Sequence, residues 1–150
     1  MRKTVATAES CTGGLLGALL TETPGASEYY RGGAVAYHNE AKRKLLGVPQ
    51  DELRRHGAVS SRVARTMARN VRKKLGADIG ISITGIAGPN GGTKEKPVGL
   101  VYIAMDGTGR MRCERFLFSG SRLKIRERAA KKALEWLNAG AGIPRSRSKP

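Results

Sequence analysis

The sequence predicts an α/β domain built around a mixed β-sheet. Runs of β-forming residues alternate with segments of helical periodicity along most of the chain, which is the pattern of layered α/β domains. Two of the later β-runs are separated only by Asp106-Gly107-Thr108-Gly109, a strong hairpin signal. At least one strand is therefore antiparallel to its neighbour, and we expect the sheet to contain both parallel and antiparallel pairs.

The chain length and charge limit the possible classes of protein. A chain of 150 residues suits one domain, and 39% hydrophobic with 27% charged residues is a globular composition. The chain has 28 Lys and Arg against 12 Asp and Glu, a net charge of +16. This excess suggests an anionic partner, namely nucleic acid, an acidic membrane surface or a phosphorylated small molecule.

The elements of the first half follow from local patterns. The run from Lys3 to Glu9 predicts a strand, and Ser60 or Ser61 is a suitable N-cap for a helix in which Val63 and Met67 recur at helical spacing. Between them we predict a helix at 15–22, a strand at 33–38, a helix at 39–46 and a short helix at 49–53.

The second half reads as three strands and a closing helix. We predict strands at 78–84, 98–105 and 111–118, and a helix at 122–137, with a glycine-rich loop from Gly85 to Gly92. The segment from Ala139 to Pro150 is rich in Gly, Pro, Ser and Arg, so we predict a basic, disordered tail there and a folded domain over residues 1–138.

Three predicted strands end at unusual sequence. Ligands of such sheets bind beyond the carboxyl ends of the strands, so these segments are the first candidates for a site. They are Glu9-Ser10-Cys11-Thr12-Gly13-Gly14, Tyr37-His38-Asn39 and Thr84-Gly85-Ile86-Ala87-Gly88-Pro89.

Ser10 lies where a strand turns into a helix through Thr-Gly-Gly. Unpaired backbone N–H groups collect at such a turn and can bind a phosphate or stabilise an oxyanion. The alternative is that Ser10 only caps the helix and the two glycines form a tight turn. The segment matches neither the dinucleotide-binding nor the P-loop pattern.

Two further segments can each be interpreted as part of a functional site or as ordinary structure. Lys42, one turn into a helix after Tyr37, can accept a proton from a serine if burial lowers its pKa; the alternative is a solvated lysine beside Lys44. The loop from Thr84 to Gly92 can form an anion nest or a flexible connection.

Together these segments resemble the CinA C-terminal domain family, the nicotinamide-nucleotide amidohydrolases. The resemblance covers residues 4–138 and implies a three-layer α/β/α sandwich with a mixed, mostly parallel five-stranded sheet. The matching stretches are residues 8–14, 37–42, 56–60, 84–89 with Gly91-Gly92, and 95–99, with a weaker one at 118–122.

The resemblance implies hydrolysis of the carboxamide of nicotinamide mononucleotide to nicotinic acid mononucleotide and ammonia. By the family pattern Ser10 is the nucleophile, and Tyr37 and Lys42 handle the proton. Backbone N–H groups of Thr12, Gly13 and Gly14 would stabilise the oxyanion. The ribose phosphate or the ring would be held by Asn39, Thr84, Gly85, Ile86, Ala87 and Gly88.

We expect no cofactor and no metal, because no His/Cys/Asp cluster suggests one. The two cysteines form neither a disulfide framework nor a CxxC pair, and no apolar run approaches the ~20 residues that span a bilayer, so we expect a cytoplasmic protein without a membrane partner. We also expect a homo-oligomer. Two alternatives on the same fold remain open. One is a basic nucleic-acid-binding module that uses the helix at 60–75 and the C-terminal tail, and the other is a nucleotide sensor without turnover.

Overall fold

Five strands form one sheet in the order β2-β1-β3-β4-β5 in the computed structural model, which describes residues 2–107 and 109–144. The strands are β1 (Val5–Glu9), β2 (Tyr30–Val35), β3 (Ile79–Gly85), β4 (Leu100–Gly107) and β5 (Arg110–Leu117). The helices are α1 (Leu15–Thr21), α2 (Asn39–Leu46), α3 (Gln50–His56), α4 (Ser61–Lys74) and α5 (Arg122–Ala141), with a short 3-10 helix at Ala26–Glu28.

The strand directions confirm the mixed sheet. β1 pairs in parallel with β2 and with β3, whereas β4 is antiparallel to both β3 and β5. The hairpin from β4 to β5 therefore returns the chain to the direction of β1, and β4 alone runs the other way. As a result, the carboxyl ends of β1, β2, β3 and β5 all lie at one edge of the sheet.

Helices cover both faces and produce the three-layer α/β/α sandwich. On one face α1 and α5 bury Leu16, Ile125 and Leu137 against isoleucines of β3 and β4. On the other face α4 buries Val63 and Met67 against small residues of β1. Fully burying an aliphatic side chain of this kind contributes about 2 kcal/mol, so these two cores fix the helices on the sheet.

Most predicted elements are confirmed, with shifts at their ends. α2 has the predicted bounds, and Ser60 is the N-cap of α4, where its hydroxyl accepts the N–H of Val63. β2 begins at Tyr30 and not at Gly33, because pairing with β1 overrides the poor strand propensity of its two glycines.

The end of α5 differs from the prediction. The helix continues to Ala141, so the prediction of a disordered tail is wrong for residues 139–141. Ala141 and Ile143 are buried in the core beneath α5, and this packing outweighs the glycine-rich composition. Residues 145–150 of the predicted tail, and Thr108 of the hairpin, lie outside the described residues.

Within residues 2–107 and 109–144, no helix is both long enough and apolar enough to cross a bilayer.

Close contact between α4 and β3 depends on Gly80. A Cβ at Gly80 would overlap the carbonyl oxygen of Ala68 and lie 2.7 Å from the Cβ of Arg72. We expect Gly80→Ala to lower the free energy of unfolding by about 3 kcal/mol, because α4 can relieve the overlap only by moving away from β3. Urea denaturation measures this change.

Gly76→Ala is the matched control. Gly76 has φ +59 and nothing within 4 Å of an added Cβ, so only the backbone strain of about 1 kcal/mol is expected. Equal losses in the two variants would show that helix–strand contact does not limit the size of residue 80.

Candidate active site

Segments that follow β1, β2, β3 and β5 meet at one edge of the sheet and line a cavity of about 210 Å³. Ser10 follows β1, Lys42 lies on α2 after β2, and Arg122 begins α5 after β5. The full set of lining residues is Ser10, Cys11, Tyr37, Asn39, Lys42, Ala58, Val59, Thr84, Gly85, Ala87 and Arg122. The parallel strand directions therefore assemble this cavity from distant parts of the chain.

The turn after β1 presents Ser10 and does not use it as a helix cap. Gly14 is at the N-cap position of α1 with φ +105, a conformation that favours glycine. The buried carboxylate of Glu9 accepts the N–H groups of Leu16 at 2.8 Å and Gly17 at 3.0 Å. The interpretation of Ser10 as the cap is wrong, since Glu9 satisfies the first turn of the helix.

Lys42 is buried and in contact with Ser10. Its side chain is 2% exposed, and Nζ donates to Ser10 Oγ at 2.9 Å and to the carbonyl oxygen of Tyr37 at 2.9 Å. Ser10 Oγ also donates to that carbonyl, at 3.4 Å. The alternative of a solvated Lys42 is wrong, because α2 turns this residue and Leu46 toward the interior.

Burial controls the ionisation of two groups in the cavity. Desolvation lowers the pKa of Lys42 from 10.5 to about 8, so a useful fraction of the amine is neutral near pH 7. Desolvation raises the pKa of Cys11 from 9.0 to about 11. The thiol next to Ser10 therefore stays protonated at neutral pH.

Tyr37 contacts the pair through its main chain. Its side chain is 57% exposed, and its hydroxyl accepts a hydrogen bond from Arg122 Nη2 at 2.9 Å. Only its carbonyl oxygen contacts Ser10 and Lys42. The direct contact between Lys42 and Ser10 therefore gives the shortest route for a proton.

Hydrogen bonds hold the start of the loop that follows β3. The Thr84 hydroxyl donates to the carbonyl of Ala58 at 2.8 Å, and the N–H of Ile86 donates to Leu100 at 2.9 Å. Both donors are thus occupied, so the N–H of Ile86 is not available for the anion nest that is one interpretation of this loop. Thr84, Gly85 and Ala87 line the cavity, whereas Ile86 and Gly88 are not among its lining residues.

The backbone donors near Ser10 are only partly available. The N–H of Gly13 donates to the Ser10 carbonyl at 3.1 Å, so it is not a free oxyanion donor as expected. The N–H groups of Cys11, Thr12 and Gly14 have no acceptor among the described residues. Thr12, Gly13 and Gly14 lie in the turn beside the cavity and Asn39 lies in its wall.

Sequence reasoning did not identify Arg122 as a site residue. Besides contacting Tyr37, it donates to the carbonyl of Gly88 at 2.7 Å and lines the cavity. Its position in the predicted topology could have indicated this role, because the hairpin places the residues after β5 at the same edge of the sheet as Ser10. Ser121, just before it, is the N-cap of α5 and accepts the N–H of Lys124.

The sequence of this chain is similar to a known protein family. Residues 1–140 match the CinA C-terminal domain. A CinA-like protein of Gemmatimonas aurantiaca is 56% identical over 134 residues, which is 89% of this chain and 31% of that protein. A CinA-like protein of Syntrophotalea carbinolica is 49% identical over 93% of this chain and 34% of its own length. The chain spans about a third of the curated relatives that it matches.

Solved structures show the same architecture. A competence/damage inducible protein from Agrobacterium tumefaciens superposes with a TM-score of 0.89 at 42% identity, covering 91% of this chain and 84% of that one. The competence damage-inducible protein A from Klebsiella pneumoniae also has a TM-score of 0.89, at 35% identity over 93% and 87% of the two chains. Because a family model matches residues 1–140 and the fold agrees with that of solved relatives, this chain belongs to the CinA C-terminal domain family.

Proposed function

We propose that this domain hydrolyses the carboxamide of nicotinamide mononucleotide to nicotinic acid mononucleotide and ammonia. The observation that carries the proposal is the buried contact of 2.9 Å between Lys42 Nζ and Ser10 Oγ. A serine and a lysine with a lowered pKa form a nucleophile and base pair for cleaving amides. The substrate is the one that the resemblance to the nicotinamide-nucleotide amidohydrolases implies.

The first half of the reaction forms an acyl-enzyme. Neutral Lys42 accepts the proton of Ser10 as Oγ attacks the carboxamide carbon and a tetrahedral oxyanion forms. The Lys42 ammonium then donates a proton to the amide nitrogen, the C–N bond breaks and ammonia leaves. Lys42 is neutral again, and Ser10 carries the nicotinoyl group as an ester.

Water completes the cycle through the same groups. Lys42 accepts a proton from water as the oxygen attacks the ester, and then returns a proton to Ser10 Oγ as the C–O bond breaks. The N–H groups of Cys11 and Thr12 are the oxyanion donors that we propose, because both lack an acceptor among the described residues. The Tyr37 carbonyl keeps the lysine and the serine aligned in both halves.

The cavity also offers groups for the rest of the nucleotide. The Arg122 guanidinium lines it and is a suitable partner for the phosphate, while the Asn39 side chain is suited to the ribose hydroxyls. Tyr37, whose hydroxyl accepts from Arg122, presents an exposed ring beside the same opening. We propose these roles for Arg122, Asn39 and Tyr37.

Two arginines of α4 are paired within the domain, so only part of its charge supports a nucleic-acid-binding module. Arg72 is paired with Asp106 at 2.7 Å, and Arg62 contacts Glu52 at 3.5 Å. These guanidiniums are engaged within the domain, whereas Ser10 and Lys42 face a cavity of small-molecule size. The amidohydrolase is therefore the function that we favour.

Ser10→Ala should abolish ammonia release from nicotinamide mononucleotide, because no other hydroxyl replaces the nucleophile. We expect the turnover of this variant to fall at least about 10³-fold in a coupled ammonia assay. Ser27→Ala, at an exposed position in the 3-10 helix, is the control and should retain activity. An inert wild-type protein that still binds the nucleotide would instead support a sensor.

The dependence of kcat/KM on pH should follow the ionisation of Lys42. The base must be neutral, and its pKa is about 8, so activity should rise about tenfold per pH unit up to pH 8 and then level off. Initial rates between pH 6.5 and 9.5 test this. A profile that is flat or falls across this interval would remove Lys42 as the base.

Lys42→Met should change how stability depends on pH. In the wild type the folded-state pKa of about 8 lies below the ordinary 10.5, so folding releases a proton between these values. The wild-type free energy of unfolding should therefore gain up to roughly 3 kcal/mol relative to the variant between pH 8 and 10.5.

Urea denaturation at pH 7.5 and pH 10 measures the difference between the two proteins. Subtraction of the Lys42→Met values cancels the titration of the other lysines and tyrosines. Parallel curves for wild type and variant would show that the Lys42 pKa is not lowered by folding.

A further inference from the structure

Arg126 holds the turn that carries the nucleophile. It lies on α5 one turn after Arg122, where Nε donates to the carbonyl oxygen of Cys11 at 3.0 Å and Nη2 donates to that of Thr12 at 3.2 Å. One side chain therefore grips two successive carbonyls directly after Ser10. None of the reaction steps described above uses this guanidinium.

Residues 10–13, which Arg126 contacts, form a β-turn. The hydrogen bond that closes this turn does not involve its central peptide group. The N–H of Gly13 donates to the Ser10 carbonyl, so the peptide between Cys11 and Thr12 is the central one. The common turn types differ by a flip of this peptide. An external contact on the Cys11 carbonyl therefore selects one orientation.

The orientation of the carbonyl also sets that of the neighbouring N–H. In a planar trans peptide the C=O and N–H point in opposite directions, so with the Cys11 carbonyl on Arg126 the N–H of Thr12 points away from that guanidinium. This N–H has no acceptor among the described residues. A charged donor on the carbonyl also polarises the peptide and makes its N–H a stronger donor.

We infer that Arg126 is a positioning residue for the proposed hydrolysis: it fixes the Cys11–Thr12 peptide so that the N–H of Thr12 donates to the developing oxyanion. This inference rests on the proposed function for its catalytic consequence, and on the contacts of Arg126 for its structural part.

The site suits arginine better than lysine. The planar fork reaches two carbonyls at once, which a single ammonium cannot do with the same geometry. Gly13 lies beside it: an added Cβ would be in ordinary van der Waals contact with Arg126 Nη2 at 3.4 Å, and the φ of +58 at this position favours glycine. The turn and the guanidinium thus fit each other as a unit.

The test compares Arg126→Gln and Arg126→Lys with Lys131→Gln, which removes a charge from an exposed position of the same helix. With nicotinamide mononucleotide as substrate, we expect Arg126→Gln to lower kcat by on the order of 10²-fold with KM within about threefold, as for a lost oxyanion donor. Arg126→Lys should fall between this variant and the wild type, and Lys131→Gln should match the wild type. A kcat within twofold of wild type in Arg126→Gln, or a loss confined to KM, would overturn the inference.

A second measurement needs no substrate. In ¹H–¹⁵N spectra the amide signal of Thr12 should move in Arg126→Gln well beyond the signals of α4, and it should stay in place in Lys131→Gln. An unmoved Thr12 signal would refute the positioning of the peptide. The wild-type protein could be inert on the nucleotide while the Thr12 signal moves in Arg126→Gln. That result would refute the proposed substrate and support the positioning of the turn by Arg126.

Discussion

A lysine amine placed next to a serine hydroxyl and out of contact with water is the arrangement on which the site depends. An ammonium group loses much of its hydration in such a place, and this loss lowers the pKa of Lys42 to about 8. The same amine on the surface of α2 would stay charged and would not accept a proton from Ser10. The burial of Lys42 in turn requires the packing of α2 on the sheet and the carbonyl of Tyr37 as a fixed partner.

The sheet makes that arrangement possible by collecting strand ends at one edge. β1 supplies Ser10, the segment after β2 supplies Tyr37 and Lys42, and β5 leads into α5. α5 then connects the separate loops through two arginines. Arg122 contacts Tyr37 and Gly88, and Arg126 contacts the turn after Ser10. The positive charge of the chain is thus partly used inside the fold to hold main-chain carbonyls.

The sequence predicted the parts of the fold that depend on local signals. The bounds of α2 and the cap of α4 are local features: the bounds were predicted correctly, and Ser60 is one of the two serines predicted as the cap. Ser10 and Lys42 stood out because glycines and polar residues follow β-runs, although their contact required the family resemblance to recognise. Three features depend on tertiary packing, which no local pattern reports: the bonding of the Glu9 carboxylate to the first turn of α1, the place of Arg122 in the cavity and the helical residues 139–141.

The return of β5 to the direction of β1 also separates two regions of the molecule. The reversal between Gly107 and Arg110 lies at the edge of the sheet opposite Ser10, and the eight residues of β5 span about 26 Å from that reversal to Leu117. Changes in the length of that connection are therefore far from the reacting atoms. At the other end of β5 the length of the chain matters, because the number of residues between Leu117 and Arg126 determines whether Arg122 and Arg126 reach the neighbouring loops.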